Sequence, residues 1–219
     1  IVKLVFDKDS FFEMTKFFGK GIITGFARIN GFPVAIFAND SNFYAGSMSA
    51  EGAQKTSRFI RLCDTFRIPI VSLVDEPGFL IGPDAERAGT ILHGTEAVLA
   101  TTESKVPWST IMIRKSFGVA AAAHYGPEGY VLAWPSAESG PLPLEGGVAV
   151  AFKKEIASAK NPEAKRKELE EKMAKNQRPF PRAEAFSVHE IIDPRETRKY
   201  IALWAERIQS QLKASLMNR

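Results

Sequence analysis

The chain of 219 residues has one cysteine, Cys63, only three histidines, and no apolar run long enough to cross a bilayer. A lone cysteine excludes an internal disulfide and fits a reducing cytoplasm. A transmembrane helix needs roughly 18 or more consecutive apolar residues, so no membrane span is expected. The opening residues, Ile1-Val-Lys-Leu-Val-Phe6, lack the anatomy of a secretory signal and an initiator Met, as expected of a fragment or a processed product. Gly-x-Ser-x-Gly elbows, Walker loops, dinucleotide fingerprints on a strand–helix unit and metal-ligand spacings are all missing. With no catalytic triad in view, any chemistry is expected to rest on backbone geometry.

What is present is an ordinary globular composition, 45% hydrophobic and 25% charged, which predicts one substantial core with a helical appendage. The net charge of +4 is uneven. Residues 1–150 carry 13 Lys and Arg against 15 Asp and Glu, a net of −2, whereas residues 151–219 carry 16 against 10, a net of +6. The basic residues of that tail alternate with acidic ones, as in Lys165-Arg-Lys-Glu-Leu-Glu-Glu-Lys172, and no aromatics interleave them. That is the pattern of a solvated helical face, so no nucleic-acid partner is expected.

Strand and helix signals alternate along the chain. Asp9-Ser10 before Phe11-Phe12-Glu13 predicts a short helix with Ser10 as N-cap and Glu13 closing a capping box. Ile22–Ile29 and Val34–Ala38, joined through Asn30-Gly31, predict a hairpin whose turn Phe32-Pro33 is placed to lengthen. A helix from about Ser49, its N-cap, to Phe66 puts Ala53, Ser57, Ile60 and Cys63 on one face, so Cys63 reads as core. The apolar run Ile70–Val74 predicts a strand buried on both faces. Helices over Ala85–Thr101, Phe117–Ala123 and Glu145–Ala159 alternate with strands over Pro107–Ile113 and Tyr130–Trp134. Asn161-Pro162-Glu163 and Asp193-Pro194-Arg-Glu196 each open a helix. The last one carries the apolar stripe Tyr200, Leu203, Trp204, Ile208, Leu212 and Leu216, which predicts docking on the domain or on a partner subunit. The rhythm is that of an α/β chain with a parallel sheet.

Two strand-to-turn junctions are candidate sites. At the first, Asp75–Gly82, a buried strand stops at Pro77-Gly78. At the second, Ser109–Ile113 leads through Arg114-Lys-Ser-Phe-Gly118 into a helix of small residues. The first amides of a helix have no internal partner and favour negative charge. The amides of Val119 and Ala120 are therefore candidates to hold a ligand oxygen that becomes anionic, with Ala120 to Ala123 allowing a flat ligand to approach. An ordinary buried helix is the alternative. Pro77, Gly78, Phe79, Ala121, Ala122 and His124 are the candidate substrate contacts. His93 reads as a structural histidine, and His189 has no evident partner. Glu138 and Glu145 bracket a Pro-rich loop at a spacing that is not diagnostic of acid–base work.

Several segments together resemble one family. They are Phe59-Ile-Arg-Leu-Cys-Asp-Thr-Phe-Arg-Ile-Pro-Ile70, Val74-Asp-Glu-Pro-Gly-Phe79, Ile91-Leu-His-Gly94, Val131-Leu-Ala-Trp-Pro-Ser-Ala137 and Ile191-Ile-Asp-Pro-Arg-Glu-Thr-Arg198. The family is the carboxyltransferase (β) subunit of biotin-dependent acyl-CoA carboxylases, such as propionyl-CoA carboxylase. The resemblance implies a ClpP/crotonase-like superhelix of ββα units with C-terminal helices. It implies the C-terminal, biotin-side domain of a longer subunit, with a crotonase-like core over residues 1–160 and a helical extension over 161–219. It further implies transfer of a carboxyl group from carboxybiotin to the α-carbon of an acyl-CoA substrate. The biotin would be carried by a biotin carboxyl carrier and charged by a biotin carboxylase component. A homo-oligomer, hexameric in the family, is implied too.

By this resemblance Gly118, Val119 and Ala120 match the family's Gly-Gly-Ala turn and would supply oxyanion-holding amides. Val119 stands where glycine is usual, so the turn must avoid positive φ there or carry strain. Ala121 and Ala122 replace residues that line the acyl pocket in relatives, which implies a roomier or more apolar pocket and an acyl group other than propionyl. The loop Ser139–Glu145 also departs from the family's Gly-rich sequence. Two rivals remain. One is a biotin-independent crotonase-type acyl-CoA enzyme, which would need its own acid or base. The other is a non-catalytic assembly domain.

Overall fold

The computed structural model describes residues 1–217. Helix α1 (Val2–Val5) and strand β1 (Phe12–Met14) precede the hairpin of β2 (Ile22–Ile29) and β3 (Phe32–Asn39). Helix α2 (Ala50–Phe66) leads into β4 (Ile70–Glu76), helices α3 (Pro83–Arg87) and α4 (Thr90–Thr102) lead into β5 (Trp108–Phe117), and α5 (Gly118–Ala122) leads towards β6 (Tyr130–Ala133). Then come β7 (Glu138–Gly140), α6 (Leu144–Ala151), α7 (Lys153–Ser158), α8 (Pro162–Gln177), α9 (Pro179–Glu184), β8 (Glu190–Ile191), α10 (Thr197–Arg207) and α11 (Gln209–Met217). The strands form one eight-stranded sheet in the order β1-β2-β3-β4-β5-β6-β8, with β7 paired to β5 beside that path. β1–β2 and β2–β3 are antiparallel and the other pairings are parallel. Parallel neighbours need a long crossover, and α2, α4 and α5 supply it. No helix among the described residues is long and apolar enough to cross a membrane.

The hairpin forms at Asn30 and Gly31, with φ of 50° and 82°. Two consecutive positive φ values suit the right-handed twist of the flanking strands. Both turn amides donate to the Asp7 carboxylate, at 3.0 and 2.8 Å. Phe32 and Pro33 do not lengthen the turn, because they pair directly with Ile29 and Arg28.

Side chains alternate across β3. Ala35 and Phe37 face Phe59, Ile60 and Cys63 of α2 and Ala97 of α4. Val34, Ile36 and Ala38 face the other way, onto Ile201, Trp204, Ala205 and Ile208 in and after α10. The last apolar stripe thus docks on its own sheet, with Tyr200 and Leu212 packed at its margin and Leu203 left 42% exposed. The side chain of Leu216 lies outside the described residues. Residues 161–219 contribute β8 as well as helices, so the tail is joined to the sheet through β6.

Three expected helices come out differently. Residues 12–14 are strand rather than helix, because the Ser10 hydroxyl donates to Asp7 O and accepts from the Arg28 amide, fixing the segment to β2 instead of capping a helix. The helix expected over Ala85–Thr101 divides at Gly89, which takes a φ of 74°. That expected over Glu145–Ala159 divides at Phe152, whose ψ of 23° at φ −115° is not helical.

Candidate active site

The two junctions lie at the C-terminal ends of the neighbouring strands β4 and β5, where open parallel sheets place their crevices. Between them the register shifts. Val74 pairs with Met112, but Glu76 pairs with Ser116, so β5 carries extra residues opposite Asp75. Asp75 staples this bulge by accepting from Arg114 Nε at 2.9 Å and from the Lys115 amide at 3.2 Å. That bond and the carboxylate's charge raise the pKa of the Arg114 guanidinium. A bulge bends and re-aims its strand, and this one carries Phe117 and Gly118 to the head of α5.

At the second junction Gly118 takes the positive φ, 64°, while Val119 is not among the positive-φ residues. The turn therefore needs glycine at 118 only, which is how valine is accepted at 119. Val119 is 67% exposed and Ala120 fully buried. The amides of the first turn of α5 have no partner within the helix. Gly118, Ala121 and Ala122, at i, i+3 and i+4, share one face and line a cavity of about 330 Å³ with Met112, Ser116 and Tyr125. Its far wall holds Ser139, Gly140, Arg182 and Ser187. β7 brings that wall into place by pairing Ser139 with Ser116 and Gly140 with Phe117. Tyr125 and Ser116 share a 2.7 Å hydrogen bond, and burial raises the Tyr125 phenol's pKa. Ser139 Oγ and Arg182 Nε are buried with no hydrogen-bond partner among the described residues.

The first junction is built differently from expectation. The Gly78 amide donates to Glu76 Oε1 at 3.1 Å and so is not offered to a ligand. The Phe79 ring packs on the core, and a Cβ on Gly94 of α4 would fall 2.4 Å from it. Pro77 remains half-buried beside them. The cavity over α5 is lined by none of these three residues. His124 also moves out of the substrate-contacting set, since it is fully buried and stacks on Phe37 with ring centroids 4.2 Å apart. Of the candidate residues, the contacts Ala121 and Ala122 and the oxyanion candidate Gly118 are brought together on the cavity, whereas Val119 and Ala120 are not among its lining residues and the Ala120 side chain packs in the core.

The other candidates resolve as structural groups. His93 shares hydrogen bonds with Gln54 and Glu96. His189 Nδ1 accepts from the Val131 amide, a partner not visible in the sequence. Cys63 is fully buried and burial pushes its thiol pKa up, away from the nucleophilic form. Glu138 lies in β7 opposite Lys115, while the Glu145 side chain is outside the described residues. Ser139 and Arg182 were missed by reasoning from sequence. Their signal is three-dimensional, because Ser139 sits in the three-residue β7 and Arg182 in the short α9.

The carboxyl transferase domain model matches residues 1–218. The chain belongs to the carboxyl transferase family. Similar carboxyl transferases include a propionyl-CoA carboxylase carboxyltransferase subunit from Haloferax mediterranei, 38% identical over 96% of this chain and 42% of that protein. Another is the methylmalonyl-CoA carboxyltransferase 12S subunit of Propionibacterium freudenreichii subsp. shermanii, 36% identical over 92% and 39% respectively. A solved transcarboxylase 12S structure, a hexamer with methylmalonyl-coenzyme A and methylmalonic acid bound, superposes with a TM-score of 0.87 at 34% identity. That match covers 94% of this chain and 40% of the other. The chain therefore spans about two-fifths of the length of these relatives. It shares the crotonase-like fold of these carboxyltransferases, the α/β architecture that the resemblance implied.

Proposed function

We propose that this chain is the biotin-side domain of an acyl-CoA carboxyltransferase, and that the amides of Val119 and Ala120 at the head of α5 are its oxyanion-holding groups. The supporting observation is the junction itself: a bulged β5 delivers Gly118 at φ 64° to a helix whose small residues Gly118, Ala121 and Ala122 line one side of a cavity. In this reading the cavity receives the ring of biotin. Gly118, Ala121 and Ala122 leave room along the α5 side, while Ser139 and Arg182 hold buried donors without partners among the described residues. Buried donors of that kind gain from a ligand acceptor. When bound in its carboxylated form, biotin supplies the carboxyl group to be transferred and a nitrogen that serves as base.

The protein's own residues then have limited tasks. The α5 amides hold a developing anionic oxygen in place, where fixed dipoles act without reorganisation. Gly118, Ala121 and Ala122 let flat groups approach. Arg182 provides a cation on the facing wall. In this reading no side-chain base is required. The acyl-CoA thioester is the proposed second substrate, and Ala122, exposed on the cavity, is placed to affect which acyl group is accepted. A biotin carboxyl carrier and a biotin carboxylase are the proposed partners, and a homo-oligomer, as in the 12S hexamer, the proposed assembly. A reduced, buried Cys63 suits a cytoplasmic location.

Reverse transfer tests this reading. Methylmalonyl-CoA or malonyl-CoA labelled in its free carboxyl group is incubated with free biotin and the assembled enzyme. Label should leave the thioester only when biotin is present, and the faster thioester identifies the acyl class. Loss of label at the same rate without biotin, or none from a folded assembly, overturns it.

A further inference from the structure

Glu76 ends β4 with no solvent exposure, and its carboxylate is a hub. Oε1 accepts from the amides of Met48 at 3.2 Å and Gly78 at 3.1 Å. Oε2 accepts from Asn39 Nδ2 at 3.0 Å. Asn39 also donates to Gly46 O and accepts from the Asp75 amide, so it cannot turn its amide over without losing bonds. Facing Oε2 at 3.7 Å is Nε2 of His124, equally buried and without a hydrogen bond. The other ring nitrogen, Nδ1, lies 2.9 Å from Ser72 Oγ. The ring's plane is set by Phe37, stacked within 3° of parallel.

These contacts favour one arrangement. A Ser72 hydroxyl that donates to Nδ1 leaves the ring N–H on Nε2, turned to the carboxylate. In that tautomer Nδ1 is hydrogen-bonded, while Nε2 faces the carboxylate at 3.7 Å, beyond hydrogen-bond reach. The two residues lie on different junctions. Glu76 holds the Pro77-Gly78 turn, and His124 follows α5, whose first turn carries the Val119 and Ala120 amides. The end of α5 is anchored again where Thr101 Oγ1 donates to Ala123 O at 2.9 Å and Thr110 Oγ1 donates to His124 O at 2.8 Å. Being out of reach of solvent, none of these groups can touch substrate.

We propose that Glu76 and His124 are a pair of positioning residues, a buried carboxylate–imidazole link that sets α5 against the β4 turn and so aims the oxyanion-holding amides. The inference rests on the function proposed above. A misplacement of about 1 Å can cost on the order of a hundredfold in rate, so a rigid spacer behind short α5 is a sensitive control point.

The test uses the assembled enzyme and biotin-dependent loss of label from whichever of malonyl-CoA and methylmalonyl-CoA turns over faster, for wild type, Glu76→Gln, His124→Met and the double variant. Each single change should lower kcat by about ten- to a hundredfold, with KM for the thioester within about twofold. The double variant should be no worse than the poorer single one. The ¹⁵N spectrum of His124 should show Nε2 protonated in wild type and a switch to Nδ1 in Glu76→Gln. Independent, additive losses, an unchanged kcat in folded variants, or a His124 tautomer indifferent to residue 76 would overturn the link. If the single variants fail to fold, Ser72→Ala, which frees Nδ1 while keeping both partners, takes their place. It should lower kcat and mix the tautomers, and no change in either overturns the link. An inactive wild type would count against the proposed function instead, and the tautomer comparison would still decide the pair.

Discussion

At the residue scale, Gly118 is the position where conformation and chemistry meet. Its φ of 64° lies in the left-handed region, which an L side chain enters at a cost of roughly 1–2 kcal/mol. A Cβ there would have room, its nearest neighbour being Pro141 O at 3.5 Å, so crowding adds little. Gly118→Ala should therefore lower stability by about 1 kcal/mol in urea unfolding while reducing carboxyl transfer far more, because relieving the strain turns the α5 amides. Transfer that falls only in proportion to stability would remove the amides from the mechanism. Cys63 was readable as core from its helical face. His124 was not readable, since its place after a run of small residues suggests an exposed helix end. Phe37, 87 residues earlier in the chain, and the Ser72 hydroxyl draw the ring inward, and neither contact leaves a local trace.

Elements were legible where their ends carry their own chemistry. Ser49 accepts from the Gly52 amide at 3.1 Å and Asn161 from the Ala164 amide at 3.1 Å, both as N-caps expected from residue type. Asn30-Gly31 announced its hairpin in the same way. Replacing Ser49 with alanine should cost about 1 kcal/mol in denaturant stability and leave activity per folded molecule unchanged. A loss below about 0.3 kcal/mol would mean that neighbouring contacts hold the start of α2 without it. The elements that escaped are the short ones. β1 and β7 have three residues each, no period to detect, and stability that comes wholly from the strand alongside. β7 matters most for the site, because it carries Ser139 to the cavity wall. The β5 bulge was equally hidden, since it depends on Asp75 and Arg114 meeting across two strands.

On the scale of the whole molecule, α10 closes one face of the sheet and Arg198 fastens it. Arg198 donates to Val5 O and to Asp7 Oδ1, each at 2.7 Å, and to Asn30 Oδ1 at 3.0 Å. With the hairpin amides also donating to Asp7, the Arg198 bond chiefly holds this carboxyl's pKa below its ordinary value. A carboxylate depressed on folding stabilises the native state above its unfolded pKa, about 3.9, and that stability is lost as pH falls through the folded value. Asp7→Asn should therefore flatten the acid side of a stability–pH curve below about pH 4 and change little of its shape near neutrality. An unaltered acid limb would show that Asp7 is not the group titrating there. The overall α/β order was legible because each crossover helix carries its own apolar face. Which sheet face the last stripe would cover was not, since that choice depends on residues nearly the whole chain apart.

The two faces of the sheet differ in when their covers are made. α2 and α4 follow directly on the strands whose inner side they shield, so that layer can assemble as the polypeptide emerges. The opposite layer waits, because Val34, Ile36, Val71, Leu73 and Ile111 all come well before Ile201 and Trp204 in the chain. Until translation passes α10, the nascent protein has one finished wall and one wet apolar wall. Intermediates that expose such a surface are aggregation-prone, so the order of synthesis leaves this face uncovered longest.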